Sequence, residues 1–208
     1  MTNKFDFKKP MIIIDLEMTG LDPSKHQIIE IAAFWCDPVT LEEIDRFHTM
    51  VGPPVGRTLD EIAGEADPIA MSINGIDLED LRRAPSPAEA MNMLQDWLPG
   101  KTYEVQWAGH GVATDYLFLE KAIRRASSRY NLDKIPYDFI DTKPLVKFLF
   151  CNEEVERKYG FLGNSSLVNA CVNLAIPRKG AHRADNDVEM CRKVLKKLCY
   201  IVDNLNSE

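Results

Sequence analysis

Two acidic residues, Asp15 and Glu17, follow the apolar run at 11–14, with only Leu16 between them. Side chains alternate along a β-strand, so both carboxylates would project from the same face at the end of a buried strand. Carboxylates placed together where hydration is poor repel each other and resist losing water. A divalent cation shared between them would remove that penalty, and ligand sets made only of oxygen favour Mg²⁺ or Mn²⁺.

Two predicted helices each place a further carboxylate beside apolar structure. The helix predicted at 185–203 carries Asp187 in line with its apolar stripe, whereas Asp185 projects toward the polar side. That stripe consists of Met190, Cys191, Val194, Leu195, Leu198 and Val202. Asp115 opens the helix predicted at 114–126, with Thr114 as the expected N-cap. Because acidic residues are common in the first turn of a helix, an ordinary structural role for Asp115 stays open.

The composition limits the function classes. The 208 residues are 45% hydrophobic and 27% charged, which indicates one soluble domain spanning 1–208 with its core at about 11–203. A net charge of −7 argues against a protein that coats nucleic acid, but not against an enzyme that grips a few phosphates. The sequence lacks an apolar run of ~20 residues and a secretory signal, so we expect a cytoplasmic protein that does not bind membranes.

The hydrophobic periodicity predicts an α/β fold with a mixed sheet. After the opening strand, further strands are predicted at 27–37, 43–51, 103–110 and 137–142. Helices are predicted at 87–98, 114–126, 142–150, 164–174 and 185–203, with a short one ending at the Asn74–Gly75 turn. The Asp37–Pro38 turn predicts a hairpin between the second and third strands. Strands followed by alternating strands and helices are typical of a central mixed sheet flanked by helices.

Three segments resemble the motifs of the DEDDh 3′→5′ exonucleases, which include DnaQ-like proofreading exonucleases, oligoribonuclease and ribonuclease T. They are "DLEMTGLDP" with Asp15 and Glu17, "GHGVATDYLFL" with Asp115, and "HRADND" with His182 and Asp187. The first is most similar to oligoribonuclease, and the third matches H-x-A-x-x-D. The resemblance spans about 11–200. It departs from the family at Gly111, where an Asn is usual, and at Thr114, where an aromatic residue is frequent.

The resemblance implies a ribonuclease-H-like fold with a five-stranded sheet, and a nuclease that uses two divalent cations, Mg²⁺ or Mn²⁺. Asp15, Glu17 and Asp187 would hold one cation, while Asp15 and Asp115 would support the second. His182 would be the general base, because imidazole titrates close to neutral pH. Taken alone, His182 would be an ordinary loop histidine; its spacing from Asp187 favours the catalytic role.

The resemblance also implies a substrate site for the 3′ end of single-stranded or short nucleic acid, with RNA slightly favoured over DNA. Residues expected to contact substrate are Met18, Thr19, Gly20, Leu21, His110 and Arg183. His110 is equally compatible with a turn, and Met18 and Leu21 with packing inside the protein. Arg183, together with Arg178 and Lys179, forms a basic loop that could meet the substrate backbone. A homodimer, common among members of the family, is a further expectation.

Other functions stay open at this point. The same fold could serve as a catalytically silent nucleic-acid-binding or interaction module, although all four acids and the histidine are present. A metal-dependent phosphatase or nucleotidase could use the same cations on small molecules. A proofreading exonuclease associated with a polymerase is a third alternative.

Overall fold

A five-stranded mixed sheet forms the centre of the protein. The computed structural model describes residues 5–127, 130–160, 163–178 and 182–204. The strands are β1 (Met11–Met18), β2 (Ile28–Cys36), β3 (Glu43–Met50), β4 (Gln106–Gly109) and β5 (Phe139–Asp141). In the order β3-β2-β1-β4-β5, the first three are antiparallel, whereas β4 and β5 run parallel to β1. The predicted mixed sheet and hairpin are confirmed.

Helices cover both faces of this sheet. They are α1 (Leu59–Glu65), α2 (Pro68–Asn74), α3 (Pro87–Trp97), α4 (Ala113–Ala126), α5 (Thr142–Leu149), α6 (Glu153–Tyr159), α7 (Leu167–Asn173) and α8 (Ala184–Asn204). A 3₁₀ helix at Leu78–Arg83 lies between α2 and α3. No helix in the described part of the chain is long and apolar enough to cross a membrane. All five cysteines are free thiols.

The alternation of β1 sorts its side chains between two cores. Met11 and Ile13 pack with α8, whereas Ile12 and Ile14 pack with α3 and α4. All four are at most 1% exposed, and burying each contributes roughly 1.5–3 kcal/mol. Asp15 continues the face of Met11 and Ile13, so the packing of α8 brings the start of that helix to the acidic end of β1.

The sequence patterns missed or misplaced several elements. Two short helices, α1 and α6, and the 3₁₀ helix were not predicted. The predicted strand 103–110 is confined to β4, because residues 102–104 form a turn. The predicted helix 164–174 begins only at Leu167, where Ser166 provides the N-cap. Val202 was expected on the buried stripe of the last helix but is 42% exposed.

The expected N-cap of α4 is wrong. The helix begins one residue earlier than predicted, with Val112 as a cap residue that makes no side-chain hydrogen bond. The carboxylate of Asp141 instead accepts hydrogen bonds from the backbone N–H groups of Gly111 (2.7 Å) and Val112 (3.2 Å). It also accepts from Lys143 N at 2.9 Å, so one side chain caps α5 and holds the two residues that precede α4. Such a contact from a distant strand leaves no local pattern.

Candidate active site

Three carboxylates meet where β1 ends and α8 begins. One oxygen from each of Asp15, Glu17 and Asp187 lies within 4.8 Å of the other two. β1 supplies the first two because residues two apart share a face of a strand. α8 supplies the third from its first turn. The structure therefore brings together residues from opposite ends of the chain, as their predicted faces require.

Within the described part of the chain, this group lacks a directly paired cationic side chain, although the charge of Arg183 lowers the pKa of Glu17 slightly. No lysine or arginine in the described ranges forms a salt bridge with Asp15, Glu17 or Asp187. Burial, followed by the nearby charges of other carboxylates, raises the pKa of Glu17 to about 8. Burial likewise raises the pKa of Asp187 to about 6, and the pKa of Asp15 goes well above its ordinary value for the same reasons. To be ionised at neutral pH, the cluster needs a counter-charge.

Asp115 lies beside this group but outside the set of three. It is 9% exposed and lies in the first turn of α4, and its carboxylate accepts hydrogen bonds from its own N–H and from the N–H of Leu16. Burial outweighs these donors and raises the pKa of Asp115 to about 7. Its charge in turn raises the pKa of Asp15. Asp115 is therefore more than an ordinary helix-start residue, because it adds negative charge to the same site.

The donor chemistry fits hard divalent cations. Carboxylate oxygens are the ligands that Mg²⁺ and Mn²⁺ prefer, and the group contains neither sulfur nor imidazole ligands. Asp15, Glu17 and Asp187 would hold a first cation, and the adjacent Asp115 gives Asp15 a partner for a second.

Glu30 is a buried carboxylate beside the site that the sequence patterns missed. It pairs with Glu17 across the β1–β2 ladder, and its side chain is 0% exposed. Its oxygens accept hydrogen bonds from Arg183 Nη2 (2.7 Å), Ala184 N (3.1 Å) and His48 Nε2 (2.8 Å). An acidic residue inside the apolar strand "IIEIAAFW" was the available signal, by the same reasoning that singled out Asp15.

Glu30 fixes the beginning of α8 to the sheet. Burial alone would raise the pKa of Glu30, but the donors from Arg183, His48 and the backbone of Ala184 hold it below its ordinary value. The carboxylate therefore stays ionised and clamps the two residues that directly follow His182. Because Asp187 lies in the same first turns of α8, this clamp positions both the proposed base and a proposed metal ligand.

His182 lies at the edge of the carboxylate group. It is exposed, and its backbone adopts a left-handed conformation (φ 69°) that residues other than glycine rarely adopt. Its N–H lies 3.3 Å from Asp187 Oδ2. Lys179, its predicted basic neighbour, lies outside the described residues.

The predicted substrate segment divides into an inner and an outer part. The Thr19 hydroxyl accepts a hydrogen bond from Gln27 N (3.1 Å), and a Cβ on Gly20 would come within 2.4 Å of the His26 ring. These two residues shape the turn. Met18 is half-buried, whereas Leu21 is 73% exposed and is the large apolar side chain of this segment that a substrate could meet.

Two other predicted contact residues have partners within the protein. His110 Nδ1 lies 2.8 Å from Thr142 Oγ1 and its Nε2 lies 2.9 Å from Ser165 O, so the ring links α5 to the segment before α7. Burial lowers the pKa of His110, which favours the neutral ring. The guanidinium of Arg183 is engaged by Glu30. Direct contact of either residue with substrate stays a prediction.

Known proteins are similar to this chain over nearly its whole length. Residues 12–195 match the RNase_T exonuclease family model. Ribonuclease T of Haemophilus influenzae strain PittEE is 27% identical, covering 93% of this chain and 80% of the relative. Ribonuclease T of H. influenzae strain Rd is 28% identical over the same shares.

Solved exonucleases share the fold. An Exonuclease I structure superposes with a TM-score of 0.73 at 15% identity, covering 96% of this chain; the chain spans only 44% of that protein's length. A 3′-exonuclease that recognises the 3′ end of a histone mRNA stem-loop gives a TM-score of 0.68 at 18% identity, covering 93% of this chain and 65% of the other. With the family model matching most of its length, this chain belongs to the RNase_T exonuclease family, the DEDDh, DnaQ-like 3′→5′ exonucleases with a ribonuclease-H-like fold.

Proposed function

We propose that this chain hydrolyses phosphodiester bonds at the 3′ ends of single-stranded or short nucleic acid, one nucleotide at a time. The observation that carries the proposal is the carboxylate group of Asp15, Glu17 and Asp187, whose oxygens lie within 4.8 Å of one another. Family membership gives this group its reaction class. A structural role does not account for ionisable side chains whose burial raises their pKa without a neutralising partner.

Two divalent cations, Mg²⁺ or Mn²⁺, are the proposed cofactors. Asp15, Glu17 and Asp187 hold one, and Asp15 and Asp115 support the second. Such ions, when bound, favour formation of the attacking hydroxide and relieve the charge on the leaving 3′-oxygen. Glu30 and the hydrogen-bonded carboxylate of Asp115 keep the ligand-bearing elements in place before substrate arrives.

His182 acts as the general base in this proposal. It takes a proton from the attacking water, whose oxygen bonds to phosphorus while the bond from phosphorus to the 3′-oxygen breaks. The products are a 5′-phosphomononucleotide and a strand shorter by one residue with a free 3′-hydroxyl. Support comes from the exposure of His182, its position two residues before the clamped Ala184, and its left-handed backbone. Strained conformations of this kind occur preferentially at functional sites.

RNA is the slightly favoured substrate in this proposal. The opening motif is similar to that of oligoribonuclease, and the curated relatives are named ribonuclease T. On the other side, structurally similar Exonuclease I has been solved with dT13 and dA16 oligonucleotides, so DNA must be tested in parallel. The exposed Leu21 is proposed to pack against the terminal bases, with Met18 beside it.

The decisive experiment follows matched RNA and DNA strands carrying a label at the 5′ end. With Mg²⁺ or Mn²⁺ we expect a ladder that shortens from the 3′ end, and with EDTA no cleavage. Asp15→Asn should abolish the ladder. Internal cuts, or cleavage that ignores EDTA, would overturn the mechanism. Retained binding by an inactive wild-type protein would favour the silent module, and release of phosphate from a 3′-phosphorylated mononucleotide would favour a phosphatase.

The remaining expectations from the sequence stay proposals. These are a single exonuclease domain across the chain, a cytoplasmic location, a homodimer, and the alternative of a polymerase-associated proofreading role. Sedimentation of the purified protein would test the homodimer directly.

A further inference from the structure

A groove with two lobes lies next to the proposed 3′-end site. The first lobe, about 410 Å³, has mostly apolar walls, which include Ile28, Phe118 and Ala122. The second lobe, about 640 Å³, is lined by the basic side chains Lys25, Arg57, Lys121 and Arg125, with Glu65 as its acidic residue. Six residues line both lobes, so the two form one continuous surface: His26, Gln27, Pro54, Val55, Lys121 and Arg125.

This groove adjoins the turn that carries Leu21. The His26 ring packs so closely on Gly20 that a Cβ there would lie 2.4 Å away from it. The backbone of Gln27 exchanges two hydrogen bonds with Thr19, one to its hydroxyl (3.1 Å) and one from its N–H (3.0 Å). His26 and Gln27 thus form part of the groove wall and also contact the proposed substrate turn. A strand leaving that turn has the groove within its reach.

The side chain of Gln27 is unsatisfied in this position. Both its Oε1 and Nε2 are buried, and neither has a hydrogen-bond partner among the described residues. Leaving a buried amide unpaired is unfavourable. A side-chain amide has an acceptor oxygen and a donor NH₂ group. It can therefore hydrogen-bond to the donor and acceptor atoms on the edge of a nucleobase. Gln27 lines the groove, so the groove wall carries a buried amide whose hydrogen-bonding capacity is unused among the described residues.

The basic side chains are arranged at a cost that an anion would remove. Lys121 and Arg125 lie one turn apart on α4, and like charges at that spacing destabilise a helix. Burial, followed by the charge of Arg125, lowers the pKa of Lys121. Within this lobe Arg57 is paired with Glu65 (2.8 Å) and Lys25 lies 3.8 Å from Asp22, so the two basic side chains of α4 supply most of the local positive charge, in contrast with the chain's net charge of −7. This local positive surface is complementary to a phosphodiester backbone.

We propose that this groove binds the single-stranded nucleic acid 5′ of the bond being hydrolysed, with bases in the apolar lobe and phosphates along the basic lobe. The inference rests on the proposed exonuclease function and adds a length preference to it. Strands long enough to enter the groove bind more tightly than dinucleotides, which reach only the turn at 18–21. Stacking on apolar walls and contacts with phosphates tolerate any base sequence.

The first test compares K121Q/R125Q with R157Q/K158Q, a control that removes the same charge from α6. On a dinucleotide, K121Q/R125Q should keep kcat/KM within about twofold of wild type. On a 12-nucleotide strand, kcat/KM should fall about tenfold, mainly through KM. Loss of two phosphate contacts should reduce the slope of log affinity against log salt concentration by about 1.4. Equal losses on both substrates, or losses matched by the control, would overturn the proposal.

A second test is independent of cleavage and of folding defects. A fluorescent 12-nucleotide strand is titrated in EDTA, so that binding is measured without turnover. Gln27→Leu should raise or preserve Tm, because it removes an unpaired buried amide, yet weaken binding about threefold to tenfold. Unchanged binding by both Gln27→Leu and K121Q/R125Q would refute the proposal that the groove binds nucleic acid, even if the enzyme is active. Absence of cleavage by wild-type protein with groove-dependent binding would refute only the proposed function.

Discussion

Glu17 and Glu30 face each other across the same rung of the sheet, yet their environments oppose each other. Glu17 is surrounded by carboxylates, and burial together with their charges raises its pKa to about 8. Glu30 is more fully shielded, but donors from Arg183, His48 and Ala184 leave its pKa below the ordinary 4.5. Burial is common to both residues. The hydrogen-bond donors and cationic side chains around a buried acid determine whether it is stable as an anion without a bound metal ion.

This difference separates two roles that a sequence pattern cannot distinguish. An acid whose neighbours already neutralise it holds the structure together, whereas an acid without such neighbours is available to bind a cation. Glu30 is therefore proposed as a positioning residue, and Glu17 with Asp15 and Asp187 as the metal site.

The largest effect should come from Glu17→Gln. We expect kcat/KM to fall about 10³-fold, because a cation bound by the cluster contributes several kcal/mol to transition-state stabilisation. The free energy of unfolding in EDTA should hold or rise, because one repelling charge is removed. Steady-state cleavage and urea unfolding measure the two quantities. Glu79→Gln, at an exposed salt bridge with Arg82, is the matched control and should change neither. Activity within tenfold of wild type would contradict the role of Glu17.

Glu30→Gln should produce a smaller loss of activity but a real loss of stability. Removing one partner of a buried ion pair destabilises by about 3–5 kcal/mol, and the partial exposure of Arg183 reduces this to about 2–3. We expect kcat to fall about 10–100-fold as His182 and Asp187 lose their support, with little change in KM. Glu30→Asp should recover part of kcat.

The control for Glu30 is Glu43→Gln on β3. Glu43 also pairs with an arginine, Arg46, but the side chain of that arginine is 59% exposed, so the change should cost less than about 1 kcal/mol. If Glu30→Gln behaves like Glu43→Gln in both stability and kcat, the clamp is not a functional device.

The smallest effect is a change in the pH dependence of Tm. The pKa values of Glu17 and Asp187 are raised, so ionisation above those values destabilises the folded protein, and protonation as pH falls relieves it. In EDTA, Tm should therefore rise as the pH is lowered from 8 to 6. The lowered pKa of Glu30 acts in the opposite sense and removes stability below about pH 4.5.

Bound metal should cancel this trend. At 100 times its dissociation constant, Mg²⁺ should add about 2.7 kcal/mol, or about 5–10 °C in Tm for a chain of this size. The gain should be largest near pH 8, where the carboxylates are ionised. Thermal scans with Mg²⁺ and EDTA at each pH measure it. A Tm in EDTA that falls steadily from pH 8 to pH 6 would mean the cluster is already neutralised.

The convergence of the three carboxylates could be predicted, because the direction of each side chain depends on spacing within its own strand or helix. The two-residue spacing of Asp15 and Glu17 fixes their common face, and the helical stripe through Cys191 fixes that of Asp187. The opening of the sheet as an antiparallel hairpin also followed from one turn and two apolar runs. These patterns repeat within a few residues, so they can be read without knowing the tertiary fold.

The rest depends on contacts between distant segments. Glu30 and Arg183 are 153 residues apart, and Asp141 binds the backbone that precedes α4 from 29 or 30 residues away. Neither pairing leaves a periodic pattern. The groove around Gln27 could not be predicted for the same reason, because its walls come from four separate parts of the chain.

One irregularity in the β1–β2 ladder limits what can vary near the site. Glu17 pairs with Glu30 but Met18 pairs with Ile28, so Ile29 is an extra residue on β2. The bulge reverses the side-chain parity of β2 toward its start, and Ile28 joins the core beneath α3 and α4. Insertions in the turn at 21–26 would end at this bulge rather than shift the acids. The bulge thus keeps the positions of the acidic residues independent of the length of the adjoining loop. That loop can therefore vary between proteins that act on different substrates.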